Sequence, residues 1–74
     1  MRNLLVAYRG NRTQEEMARI YGVSQQAWSN WENGRDTPRP VTMKAISKDA
    51  GMTIDALFFN YEVYQTETTD TRGG

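Results

Sequence analysis

The sequence has 74 residues and contains neither cysteine nor histidine, which allows one small domain and excludes disulfides, thiolate zinc sites and histidine-based catalysis. Nine basic and nine acidic residues give a formal net charge of zero, so the overall charge does not by itself indicate nucleic-acid binding. The charges are placed unevenly, because residues 34–48 contain Arg35, Arg39, Lys44 and Lys48 against Asp36 alone.

No apolar run approaches the ~18 residues that a membrane-spanning helix needs, and no leader pattern precedes the first helix. We therefore expect a cytoplasmic protein without a membrane segment. Neither a nucleophile paired with a base nor a carboxylate cluster with metal-ligand spacing is present. We accordingly expect no enzymatic activity, no metal, no cofactor and no small-molecule ligand.

The first half of the chain predicts two helices separated by a break at residues 10–11. The first carries Leu4, Leu5 and Tyr8 on one predicted apolar face. The second begins after Thr13, which has the capping-box spacing to Glu16, and its predicted apolar stripe comprises Met17, Ile20 and Tyr21. A glycine at position 22 then predicts the end of the helix.

Three further helices are predicted before residue 59. Ser24 caps a third helix over residues 25–33, which Gly34 ends. A fourth begins at Pro40, because proline is tolerated in the first helical turn, and it stops at Gly51. Thr53 caps a short fifth helix. The predicted inner faces of the last two helices carry Met43, Ile46, Ala50, Ile54, Leu57 and Phe58.

The last segment of the chain allows two interpretations. Residues 59–64 alternate weakly between apolar and polar side chains, which fits a strand or an extended arm. Residues 65–74 are polar and rich in threonine, and we expect disorder there. The predicted organisation is an all-α, compact five-helix domain over residues 1–60, followed by a C-terminal arm over residues 61–74.

Residues 17–31 have the pattern that a helix-turn-helix requires. Two short helices meet at a steep angle, so the crossing needs small residues and the turn needs a residue that tolerates positive φ. The residues that meet these needs and supply the apolar inner faces are Met17, Ala18, Tyr21, Gly22, Val23, Trp28 and Trp31.

The third predicted helix has two contrasting faces. Trp28 and Trp31 point inward, where core packing is favoured over stacking on bases. The opposite arc carries amides and one hydroxyl but no acid: Gln25, Gln26, Ser29, Asn30 and Asn33. Amides pair with base edges and hydroxyls are permissive, so this face is suited to DNA, although a merely solvated face is the alternative.

The segment TQEEMARIYGVSQQAWSNWENGR resembles the Cro/repressor helix-turn-helix family, also called the Xre family. The resemblance covers roughly residues 4–58 and depends on several signals together. They are Thr13-Gln14 with Ala18, Gly22-Val23-Ser24, Trp31-Glu32-Asn33-Gly34, Pro38, and residues 51–57.

The resemblance implies a five-helix domain that binds a near-palindromic double-stranded DNA operator as a homodimer. It implies base contacts by Gln25, Gln26, Ser29 and Asn30. It also implies contacts with the phosphate backbone by Gln14, Asn33, Arg35 and Arg39. Helix N-termini bind phosphate through free N–H groups, which agrees with the position of Gln14.

The sequence departs from the family pattern in the first helix. The family often has an arginine seven residues before the Gln14 position, and this arginine pairs with the glutamate of the Trp-Glu-Asn-Gly block. That position here is Ala7. Glu32 therefore needs Arg9 or Arg2 as its partner, or stays solvated.

The predicted function is a sequence-specific transcriptional regulator, namely a phage or bacterial repressor of Cro-like type. The alternative is a protein-interaction module, such as an antitoxin or a regulator bound by an antirepressor. The aromatic side chains from Phe58 to Tyr64 form the predicted dimer contact or the predicted docking site for a protein partner. Packing back on the core is the alternative.

Overall fold

The structure, a computed structural model, describes residues 1–59 of the chain. Within this range it is all-helical, which confirms the predicted five-helix architecture. The helices are α1 Asn3–Arg9, α2 Gln14–Tyr21, α3 Gln25–Asn33, α4 Pro40–Ala50 and the short π-helical α5 Asp55–Phe59. The predicted C-terminal arm over residues 61–74 lies outside the described residues, as do residues 60–64 of the aromatic segment. Phe58, the first residue of that segment, is fully buried in the core.

Local side-chain caps fix where the helices of the central motif begin. Thr13 Oγ1 accepts a hydrogen bond from the Glu16 amide at 3.0 Å, and Glu16 Oε1 accepts one from the Thr13 amide at 2.8 Å. This reciprocal capping box starts α2 as its spacing predicts. Ser24 Oγ accepts from the Ala27 amide at 3.1 Å and starts α3 in the same way.

The turn between α2 and α3 depends on Gly22, which has a φ of 69°. This left-handed conformation is open to glycine at little steric cost. The Val23 amide donates to the Ala18 carbonyl at 2.9 Å, so the chain reverses within the turn and α3 packs back across α2.

All five helices contribute side chains to one small core. Its buried apolar members are Leu5, Met17, Ala18, Trp28, Trp31, Ile46, Leu57 and Phe58. A domain of this size buries a limited share of its surface, so the two tryptophans and the phenylalanine supply a large part of the apolar burial. Partly buried neighbours such as Tyr8, Tyr21 and Val23 pack around this core.

Three predicted apolar positions differ from the expectation. Leu4 and Ile20 are 44% and 53% exposed, because the buried face of α1 is centred on Leu5 and that of α2 lies between Met17 and Ala18. At ~100° per residue, Leu4 and Ile20 turn away from those faces. Phe59, expected to begin an extended segment, is instead the exposed last residue of α5.

The lengths of the helices decide whether any of them could span a membrane. Among residues 1–59, none of the helices combines the length and apolar character that crossing a bilayer requires.

Candidate nucleic-acid interface

The outer face of α3 carries the residues predicted to contact bases. Gln25 and Gln26 are exposed, and Ser29 and Asn30 are half-buried. Gln26 Nε2 donates to Asn30 Oδ1 at 3.0 Å, and Asn33 Nδ2 donates to Ser29 Oγ at 3.4 Å. The side chains on this face are therefore linked in pairs one helical turn apart.

The bond between Gln26 and Asn30 determines which polar groups remain for a ligand. It uses one N–H of Gln26 and one lone-pair direction of Asn30. The Gln26 carbonyl and the Asn30 amide hydrogens remain able to bond elsewhere. An acceptor and a donor are thus held on one face, which is the type of pattern that base edges in the major groove present.

The inner face of α3 is anchored by its two tryptophans. Trp28 is fully buried and stacks on Tyr21, with ring centroids 5.7 Å apart and planes 8° from parallel. Trp31 meets Trp28 edge-on at 5.6 Å. Both rings belong to the core, as their spacing predicts, and the aromatic contacts with α2 fix how α3 is rotated.

Glu32 is the acidic residue of α3, and it is turned inward with 2% of its surface exposed. Its carboxylate accepts hydrogen bonds from Trp28 Nε1 at 2.6 Å, Arg9 Nε at 2.7 Å and Gln14 Nε2 at 2.9 Å. Arg9 Nη2 approaches the second oxygen at 3.3 Å. The three donors come from α1, α2 and α3, so one carboxylate joins three helices.

Arg9 is the ion-pair partner that the sequence left open for Glu32. It stands five residues before Gln14, whereas the family spacing of seven falls on Ala7, which is exposed. The Arg9 guanidinium thus takes the place at the glutamate that the family pattern assigns to position 7.

The environment of Glu32 keeps its side chain ionised. Burial raises the pKa of the carboxyl group, but hydrogen bonds from Arg9, Gln14 and Trp28 together outweigh burial and bring its pKa below the ordinary value. The negative charge is therefore compensated inside the protein rather than displayed on the face of α3.

The residues predicted to contact phosphate occupy two places. Gln14, the first residue of α2, is half-buried and bonded to Glu32, so a phosphate contact would use its second amide hydrogen or its backbone N–H. Asn33, Arg35 and Arg39 are exposed at the end of α3 and in the loop before α4. The Arg35 amide donates to the Asn30 carbonyl at 2.9 Å, which ties this loop to α3.

A second polar network is centred on the hydroxyl group of Tyr21. The hydroxyl groups of Tyr8 and Tyr21 are 2.6 Å apart, and the Tyr21 hydroxyl donates to Asp49 Oδ2 at 2.9 Å. Burial, followed by these hydrogen bonds, raises the pKa of Tyr21 above its ordinary value. The network links α1, α2 and α4 and supports the aromatic stack behind α3.

Comparison with known proteins agrees with this geometry. Residues 3–57 match the helix-turn-helix family. The chain belongs to the helix-turn-helix family. It is 39% identical over 62 residues to the "HTH-type transcriptional activator BcrR" of Enterococcus faecalis, an alignment that covers 84% of this chain and 30% of that protein.

The chain thus spans less than a third of the length of this curated relative. No solved structure matches the chain. The helix-turn-helix domain over residues 3–57 is of the kind found in DNA-binding transcription regulators, which dock the second helix of the motif in the major groove.

Proposed function

We propose that this helix-turn-helix protein is a sequence-specific transcription regulator that inserts α3 into the major groove of double-stranded DNA. The observation that carries the proposal is the division of α3 into two faces. Its outer face offers amides and a hydroxyl, while its acid, Glu32, is buried against Arg9. A surface without a carboxylate avoids repulsion by the phosphates.

The proposed contacts fall into two groups. Base edges are contacted by Gln25, Gln26, Ser29 and Asn30, which share the outer face of α3. The phosphate backbone is contacted by Gln14, Asn33, Arg35 and Arg39, which lie at the start of α2, at the end of α3 and in the following loop. Such backbone contacts position a protein on the duplex, whereas base contacts specify the sequence.

The experiment that tests this sorting compares alanine variants on a panel of duplexes. Gln25→Ala removes a proposed base contact, so we expect a loss of ~1–3 kcal/mol and relaxed preference at one base pair. Arg35→Ala removes a proposed phosphate contact and should weaken binding to all sequences alike. A change of sequence preference in Arg35→Ala would contradict the assignment.

The proposed assembly on DNA is a homodimer on a near-palindromic operator. One nine-residue α3 reaches only a few base pairs, and two-fold dimers of helix-turn-helix domains combine half-sites about one helical turn apart. The C-terminal arm is the proposed dimer contact. Sedimentation of the chain lacking residues 59–74, which removes the arm together with the aromatic residues before it, tests this contact. An unchanged dimer would exclude this role.

The proposed regulatory role is repression of Cro-like type, in a phage or bacterial cytoplasm, by occupying a promoter. The relative from Enterococcus faecalis is named an activator, so a separate experiment must test whether this protein represses or activates transcription. In vitro transcription with the operator overlapping the promoter should fall as protein is added. A rise in transcript from an upstream operator would instead support activation.

A second candidate function is a protein-interaction module, such as an antitoxin or a regulator bound by an antirepressor. The observation that favours it is the exposed ring of Phe59 at the end of α5, directly before the C-terminal arm. Exposed aromatic side chains are enriched at protein interfaces. DNA binding that persists while Phe59→Ser abolishes partner binding would show that the two functions coexist.

A further inference from the structure

Arg2 is buried although it is charged and stands next to the first residue of the chain. Only 4% of its surface is exposed. Its Nη1 donates to the carbonyls of Trp31 and Asp36, each at 2.7 Å, and its Nη2 donates to Thr37 Oγ1 at 3.1 Å. The guanidinium also lies over the ring of Phe58, 5.4 Å from the centroid. Buried arginines require such compensation.

The first consequence of these contacts concerns the end of α3. The last carbonyls of a helix lack partners within the helix, and a cation near them interacts favourably with the helix dipole. The last turn of α3 has no basic residue of its own. Arg2 supplies the missing donors and the missing positive charge. Its side chain donates to the Trp31 carbonyl, and its backbone amide donates to the Glu32 carbonyl at 2.7 Å.

The second consequence concerns the loop between α3 and α4. Asp36 and Thr37 lie at the centre of the segment that joins Arg35 to Arg39, the two exposed arginines proposed to contact phosphate. Arg2 holds this centre from one side, while the amides of Arg35 and Asp36 reach back to the Asn30 carbonyl. The loop is thus held by α3 at Arg35 and Asp36 and by Arg2 at Asp36 and Thr37.

We propose that Arg2 is a positioning residue for DNA binding: it caps the recognition helix from outside and holds the loop of residues 34–39 so that Arg35 faces the phosphate backbone. This inference rests on the proposed function. Arg2 does not itself touch DNA, because its guanidinium is enclosed by α3, the loop and Phe58.

The contacts of the Arg2 side chain require the shape of a guanidinium group and not only its positive charge. One planar fork reaches a helix carbonyl, a loop carbonyl and a hydroxyl while its face lies on an aromatic ring. Lysine keeps the charge but carries its donors on one nitrogen, so it loses the second nitrogen, which binds Thr37 Oγ1, and the planar group that lies over Phe58. Arg2→Lys is therefore a conservative variant that separates positioning from charge.

The test is a double-mutant comparison of DNA binding in the full chain. Arg2→Lys should weaken binding to every duplex by about tenfold without changing base preference, and should reduce the salt slope by about 0.9, the value for one lost phosphate contact. Arg35→Ala should then have little further effect. Gln25→Ala is the matched control, and it should weaken DNA binding by the same factor in the wild-type chain and in the Arg2→Lys chain.

Hydrogen exchange of the free protein supplies a measurement that does not depend on DNA. In Arg2→Lys, the Arg35 and Asp36 amides should exchange faster, whereas the Val23 amide, in the turn before α3, should keep its rate. If hydrogen exchange became faster by the same factor at all three amides, Arg2 would only stabilise the whole domain, and the proposal would be overturned.

A second variant covers the case in which Arg2→Lys does not fold. Thr37→Val removes only the hydroxyl that Arg2 Nη2 binds and keeps the 2.7 Å bond from Nη1 to the Asp36 carbonyl, so it should loosen the loop in part and leave α1 and α3 intact. If neither variant changes loop exchange, the positioning role is wrong. If loop exchange changes but the wild-type chain selects no DNA, the proposed function fails while the structural clamp stands.

Discussion

The indole nitrogen of Trp28 lies 2.6 Å from Glu32 Oε2 within α3. Both residues are buried, and the same carboxylate binds Arg9 from α1 and Gln14 from α2. The position of α3 therefore depends on a polar group at the centre of the motif as well as on apolar packing. A fully satisfied buried network of this kind specifies one arrangement of the helices.

Glu32→Gln should strongly destabilise the domain. The substitution leaves the Arg9 charge uncompensated and places an amide donor against other donors, so we expect a loss of roughly 3 kcal/mol in the free energy of unfolding. Urea unfolding monitored by tryptophan fluorescence measures it. Glu15→Gln is the control, because Glu15 is exposed in its 3.7 Å pair with Arg19, and it should change stability by less than ~0.5 kcal/mol. A similar small loss in both variants would contradict the central role of Glu32.

Stability should fall in acid partly through Glu32. Its pKa is lowered in the folded protein by Arg9, Gln14 and Trp28 against the opposing effect of burial, so the unfolded chain takes up a proton at higher pH than the folded one. The contribution is present above the ordinary glutamate pKa, about 4.3, and is lost as pH falls through the folded value. The stability difference between wild type and Glu32→Gln should be constant above pH ~5 and shrink below it. A difference independent of pH down to the lowest pH at which both fold would refute the assignment.

Tyr21 should make the protein sensitive to alkali. Burial and the hydrogen bonds to Tyr8 and Asp49 raise its pKa in the folded state, whereas an unfolded tyrosine ionises near pH ~10. Stability is therefore complete below pH ~10 and falls as pH rises above it, because the unfolded chain releases the proton first.

The variant Tyr21→Phe tests this dependence. It should cost about 1 kcal/mol at neutral pH through its lost hydrogen bonds, and it should lose less stability than wild type when the pH is raised above ~10. Urea unfolding at several alkaline pH values measures both effects. An equally steep alkaline loss in Tyr21→Phe would assign that loss to other groups.

Gln26 and Asn30 should act as a unit on DNA. Each alanine substitution should weaken binding to the preferred duplex by ~1–3 kcal/mol. The double substitution should cost less than the sum by at least ~0.5 kcal/mol, because Asn30 holds Gln26 through their 3.0 Å bond. Gln25 and Asn33 lie eight residues apart on α3 and serve as the control pair, whose effects should add. Additive effects in the first pair would show that the bond does not persist on DNA.

Much of the fold could be predicted because its signals are local. The capping box of Thr13 with Glu16, the Ser24 cap and the left-handed Gly22 each involve residues within a few positions of one another. The rotation of α3 followed from the spacing of Trp28 and Trp31. Such short-range chemistry acts before tertiary packing is known.

The remaining features depend on how distant segments meet. The partner of Glu32 does not follow from the sequence because Arg2 and Arg9 are both near the family position, and the structure selects Arg9. The contacts of Arg2 join residues 29 to 35 positions apart. The sequence prediction for Leu4 and Ile20 is wrong because an apolar residue close to a buried helix face does not always lie on that face.

The most direct test of the central claim is selection of bound duplexes from a random library, followed by sequencing. We expect enrichment of a two-fold-related motif with half-sites about one helical turn apart, and we expect this enrichment to be lost in a variant carrying Gln25→Ala and Gln26→Ala. No enrichment by the folded wild-type protein, with only weak and salt-sensitive binding to all duplexes, would contradict a base-reading role for α3.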